Sequence, residues 1–209
     1  MSRIGVGFDA LFAACERLSI PVTAGPPRAD VPADVLGQPL DATLRAVFRE
    51  HDGMWWSAPE FSLRIYPLEG ADAFEWRNLS LRRSSDDYVP PYPFESLLVF
   101  AQYGRRASYL ATVPSLADAA GRQPVLYLDT HEDPWAVPVA ASVDAAFGVL
   151  AEYLARARLQ EVNFPLDVAD LISSDAALAS RVTAKEFDAW TRGDASLQEW
   201  LQQTFKRGA

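Results

Sequence analysis

Both histidines of this 209-residue chain stand among acids. In "REHDGMWW", His51 lies between Glu50 and Asp52; in "LYLDTHEDP", Asp129 precedes His131, Glu132 and Asp133. Two imidazoles with nearby carboxylates are acceptable ligands for zinc or iron. The same groups, with Asp52 or Asp133 as the acid, would suit a hydrolase only if both imidazoles met in one pocket. Neither histidine belongs to a spaced ligand motif, and successive side chains at a strand end point different ways. The expectation is therefore two acidic loop ends that do not converge, with no metal, no cofactor and no catalytic residue. Other chemistries lack a signature. There is no G-x-S-x-G elbow, and "GVG" at Gly5–Gly7 lacks the preceding strand, third glycine and lysine of a phosphate loop. Cys15, the single cysteine, follows Leu11, Phe12, Ala13 and Ala14 and reads as a buried thiol. "RRSSDD", with Asp86 and Asp87, reads as a solvated loop.

Trp55 and Trp56 follow Gly53 directly. Strand alternation would place one indole inside and one outside, and an exposed Trp beside acids is a suitable interface anchor. Closure of both over the core is the preferred expectation. The candidate partner-binding residues are accordingly Trp55, Trp56, Asp86, Asp87, Asp129, His131, Glu132 and Asp133.

The elements that must carry these residues follow from periodicity. Phe8, Leu11, Phe12, Cys15 and Leu18 have helical spacing. "IPVTAGPPRADVPADV" is a loop or extended arm. A second helix runs from about Pro39 to Asp52, capped by Asp41 and closed by Gly53, with His51 at its C-terminus. "FSLRIYPL" alternates as a half-buried strand, "SLLVFAQYG" and "RASYLATV" form a tight hairpin, and "PVLYLD" is a further strand. "SLADAAG" reads as one helical turn between a Ser115 cap and Gly121, and "LRRSSDDYVPPYP" as a long loop. A helix returns at Ser142. Capping boxes at Thr183–Glu186 and Ser196–Glu199 announce short C-terminal helices, which pack on the domain through Phe187, Trp190, Trp200 and Phe205 or make a dimer. Strands grouped between helices give an α+β fold with a largely antiparallel central sheet flanked by helices and a C-terminal helical extension.

Composition narrows the function classes. Apolar residues make up 49% and charged residues 22%, ordinary for a globular protein. The formal net charge of −9 argues against direct nucleic-acid binding, which needs clustered Lys and Arg, and suits a basic protein partner. No membrane span or secretory leader stands out, so a cytoplasmic, monomeric or homodimeric protein is expected.

The order of four stretches resembles the SUKH superfamily, which holds Smi/Knr-type regulators and bacterial toxin-immunity proteins. "LGQPLDATLRAVFREHDGMWW" is similar to the family's opening helix. "LLVFAQYGRRASYLAT" resembles its central hairpin, "QPVLYLDTHEDPW" its late strand with an acidic turn, and "VAASVDAAFGVLAEYL" its closing helix. The resemblance spans residues 36–158 within a domain of residues 1–158, leaving 159–209 as the extension. Arg105 and Arg106 depart from the Gly and Asp more usual in the hairpin, and the loop from Leu79 to Phe94 is long. The resemblance implies a non-enzymatic fold that binds a protein. The partner would be a cognate toxin, often a nuclease, neutralised by direct contact; alternatively the chain is a regulatory scaffold with a non-toxin partner.

Overall fold

Short apolar runs, alternating in β-period at Met54–Ser57 and Ser62–Ile65 and continuous from Leu98 onward, pair side by side in the middle of the chain. The computed structural model describes residues 4–59, 61–84, 94–104, 107–131, 135–157, 163–191 and 195–206. Helix α1 (Val6–Arg17) leads into strand β1 (Val22–Ala24), the small hairpin β2 (Asp34–Val35) and β3 (Gln38–Pro39), and helix α2 (Ala42–Glu50). Strands β4 (Met54–Ser57) and β5 (Ser62–Ile65) precede helix α3 (Phe74–Ser84). Then come β6 (Leu98–Tyr103), β7 (Ser108–Thr112), β8 (Val125–Asp129), β9 (Trp135–Ala140) and α4 (Val143–Ala157). The chain closes with α5 (Ala169–Ser173), α6 (Ala176–Thr183), α7 (Asp188–Thr191) and α8 (Ala195–Lys206). Apart from β2 and β3, the strands form one seven-stranded sheet in the order β1-β4-β5-β6-β7-β8-β9, antiparallel throughout. The fold is α+β with a central antiparallel sheet.

Strand register sorts the side chains onto two faces. Val22, Trp56, Leu63, Tyr103, Ser108, Asp129 and Trp135 form one cross-strand row. The next row, on the opposite face, is Thr23, Trp55, Arg64, Gln102, Tyr109, Leu128 and Ala136. The Trp56 face is roofed by α1 and α4. Phe8 of α1 meets Trp56 edge-on at 6.3 Å between ring centroids and Phe147 of α4 at 5.4 Å. The two helices cross closely: a Cβ on Gly7 would stand 1.9 Å from the Asp144 carbonyl oxygen. Gly5 offers α1 no side-chain cap, and Asp144 supplies one from α4. Its Oδ1 accepts the N–H groups of Gly7 at 2.9 Å and Phe8 at 3.0 Å.

On the other face α3 lies against β6. Where β5 ends, buried Asn78 takes the place of a neighbouring strand. Its Oδ1 accepts the Val99 N–H at 2.8 Å, and its Nδ2 donates to the Val99 carbonyl at 2.9 Å. Asp41 is likewise a buried organiser. It caps α2 through Thr43 and Leu44 and also accepts the Gln123 N–H at 2.7 Å. Burial pushes its carboxyl above the usual range, and these main-chain donors pull it back.

Several sequence expectations change. Helix α3 occupies the start of the stretch read as a loop from Leu79, and its inner positions Phe74, Asn78 and Leu81 include a polar residue that breaks the apolar stripe; residues 85–93 lie outside the described residues. Strand β9 was not expected, and it tolerates Pro138 beside a bulge next to Val125. Part of the proline-rich arm becomes β1. Ser115 caps nothing; a 3-10 turn spans Pro114–Leu116, and Asp118 organises the turn that Gly121 closes. Thr183 ends α6 rather than starting a helix, with Lys185 left-handed at φ 61° just beyond it. The C-terminal helices bury Phe187, Trp190 and Phe205, α6 and α7 lie on β9, and the Trp190 indole donates to Ser96 Oγ at 3.1 Å. Among the described residues, no helix is long and apolar enough to cross a membrane.

Asp144→Ala removes both cap bonds from α1. It should cost about 1–2 kcal/mol and lower Tm by roughly 2–8 °C. An unchanged melting curve would mean that packing alone holds α1.

Candidate protein-binding face

Trp56 is fully buried and Trp55 is 49% exposed. The period of the strand decides this. Trp56 shares a row with Leu63 beneath α1, so Trp55, one residue earlier, must face the other way. The expectation that both indoles close over the core is thereby corrected. Trp56 is out of reach of a partner, and Trp55 alone of the pair offers surface.

Trp55 belongs to a connected group that the sequence did not suggest. Its cross-strand partner is Arg64. The Arg64 guanidinium donates to Asp72 at 2.7 Å, and the other Asp72 oxygen accepts from Arg77 at 3.3 Å. Arg77 lies over the rings of Trp76, at 5.3 Å, and Tyr66, at 5.1 Å. Trp76 is 52% exposed. Tyr66 is fully buried beneath this network, and burial pushes its hydroxyl well above the ordinary range. Two half-exposed tryptophans are thus joined by an Arg–Asp–Arg bridge across β4, β5 and α3. Tryptophan and arginine are the residues that most often carry binding energy between proteins.

An acid-rich cleft adjoins this face at Glu75, the residue before Trp76. It measures about 340 Å³, and its lining includes Asp30, Asp34, Glu69 and Glu75. Arg28 sits in it and is committed internally: its guanidinium donates to Asp52 at 2.9 Å and to Glu69. The hydrogen bond from Arg28 holds the Glu69 carboxyl below its ordinary range. Asp52 also accepts the Leu68 N–H at 2.7 Å, so it ties the end of α2 to the chain leaving β5.

The remaining sequence candidates lie elsewhere. Asp129 is on β8, four strand spacings from Trp55, roughly 19 Å, and in the row of the opposite face. Its Oδ1 accepts the His131 N–H at 2.9 Å, while Thr130 bonds to the Ala107 carbonyl. Asp129 therefore builds a turn. Asp86, Asp87, Glu132 and Asp133 lie outside the described residues, as do Arg105 and Arg106. His51 precedes β4 beyond the Met54 end, and His131 follows β8 at the opposite end of the strands. The two imidazoles share no pocket. Among the described residues, no group of three or more His, Cys, Asp or Glu is placed to hold a metal.

Comparisons with protein-family models, with curated proteins and with solved structures gave no match to this chain.

The two indoles should respond oppositely to truncation. Trp56→Ala should cost about 3–5 kcal/mol, and Trp55→Ala less than about 1 kcal/mol; denaturant titration of each variant checks the pair. Equal losses would contradict the in-and-out placement. Cys15 is 2% exposed, and burial pushes its thiol up to about 12. At pH 8 about one thiol in ten thousand is then ionised. A chromogenic disulfide reagent should react only after denaturation; rapid reaction of the folded protein would place Cys15 at the surface.

Proposed function

We propose that this chain is a cytoplasmic, non-enzymatic binding module of the SUKH kind, and that its partner is a cognate toxin neutralised by direct contact. The observation that supports the reading best is the Trp55–Arg64–Asp72–Arg77–Trp76 face. Its exposed indoles supply large, rigid apolar area, and their surroundings hold guanidinium and carboxylate groups for orientation. The formal charge of −9 and the neighbouring acid-rich cleft favour a basic partner, as a nuclease would be. Charge of opposite sign speeds encounter and sets register, while the tryptophans provide the lasting contact. The internal bonds of Asp52 and Asp129 support this assignment, since both groups already have structural partners.

Co-expression with the protein encoded beside this gene tests the proposal through growth and co-purification. Rescue with a stable complex is expected. Trp55→Ala and Trp76→Ala should each weaken the complex by about 2 kcal/mol, some 30-fold, without unfolding the chain. No rescue and no complex, or full affinity in the double variant, would overturn it.

A further inference from the structure

We propose that the cavity between the α6–α7 turn and α8 binds a free medium-chain carboxylate. The cavity measures about 480 Å³, within the range of small-molecule sites, about 300–1,000 Å³. Its apolar side is formed by Phe187, Leu201 and Phe205, all buried. These side chains also close the core of the C-terminal helices, so the wall is fixed by the fold. Thr183, Thr191 and Gln198 also line it but donate within the chain, to the Ala179, Phe187 and Thr191 carbonyls, which leaves Gln202 as the exposed amide of the lining.

Charge selects the ligand. The chain has a formal net charge of −9 and two lysines, and both lysines, Lys185 and Lys206, border this cavity. Asp188 is the single acid among its described lining residues. Lys185 is held in place by the end of α6. The Lys185 N–H bonds to the Val182 carbonyl at 3.0 Å and the Glu186 N–H to the Arg181 carbonyl at 3.1 Å. This is a Schellman stop, with Lys185 at the left-handed position where glycine fits at least steric cost. Lys206 comes from the last turn of α8. An apolar wall with two lysines in its lining suits a ligand with one carboxylate and a short alkyl tail. The tail would displace water from half-buried Val182 and from the cavity edges of Leu201 and Phe205, and the head would accept charge-assisted hydrogen bonds.

Calorimetric titration of the full chain with sodium octanoate, beside 1-octanol, tests this. Saturable octanoate binding about tenfold tighter than octanol is expected. It should weaken about tenfold in a Lys185→Gln/Lys206→Gln double variant. Gln202→Trp, a change at an exposed lining residue, should block the cavity and abolish binding while leaving the melting temperature unchanged. Absence of saturable heat at millimolar octanoate would overturn the proposal. So would equal affinity for octanol, equal affinity in the three proteins, or association only with phosphatidylglycerol vesicles. None of these results bears on the Trp55–Trp76 face, so the two proposals stand or fall separately.

Discussion

Trp56 is pinned beneath α1, and that contact decides which side of the sheet carries Trp55. Asp144, on α4, caps the open N-terminus of α1. Capping and the glycine-only approach at Gly7 fix α1 against α4. Phe8 is thereby set over the sheet, edge-on to Trp56 and Phe147. A strand has a period of two, so a buried Trp56 forces its neighbour outward. A one-residue slip of β4 would bury Trp55 and expose Trp56, leaving Phe8 without its partner.

The other half of the face depends on a polar residue in a buried place. Asn78 holds α3 to β6 by pairing with both main-chain groups of Val99, which the departure of β5 leaves open. That bond sets the position of α3 along the sheet, and with it Trp76 and Arg77 relative to Tyr66. Asp72 then closes the span between α3 and β5 by accepting from both arginines. Exposed ion pairs of this type contribute little stability, typically below about 1 kcal/mol. Their effect here is on geometry, because they hold Arg64 of β5 and Arg77 of α3 to one carboxylate.

Much of this fold was legible in the sequence, and the exceptions share physical causes. Asp41 announced α2 because an acid before an amphipathic run is a strong start signal, although its third bond, to Gln123, is invisible without the fold. The strands from Ser62 to Asp129 were legible because β5 alternates and the later strands are short apolar runs punctuated by glycine turns. Helix α3 was hidden because Asn78 interrupts its apolar stripe. Strand β9 was hidden because Pro138 argues against a strand unless the strand is an edge with a bulge. The Thr183–Glu186 pattern misled because the same residue spacing straddles a helix stop. At the candidate face, the sequence singled out Trp55 for its neighbourhood of acids. Arg64, Asp72, Trp76 and Arg77 gave no signal, since their relation depends on strand register and on how α3 lies.

Hydroxyl-radical footprinting of the chain, alone and bound to the product of the adjacent gene, is the most direct test of the Trp55–Trp76 face. Both tryptophans oxidise readily when exposed, and their oxidation can be counted residue by residue. The partner should protect Trp55 and Trp76 together, while the turn at Asp129–His131 keeps its free-state reactivity. Protection of that turn with both tryptophans still oxidised at the free rate would contradict it.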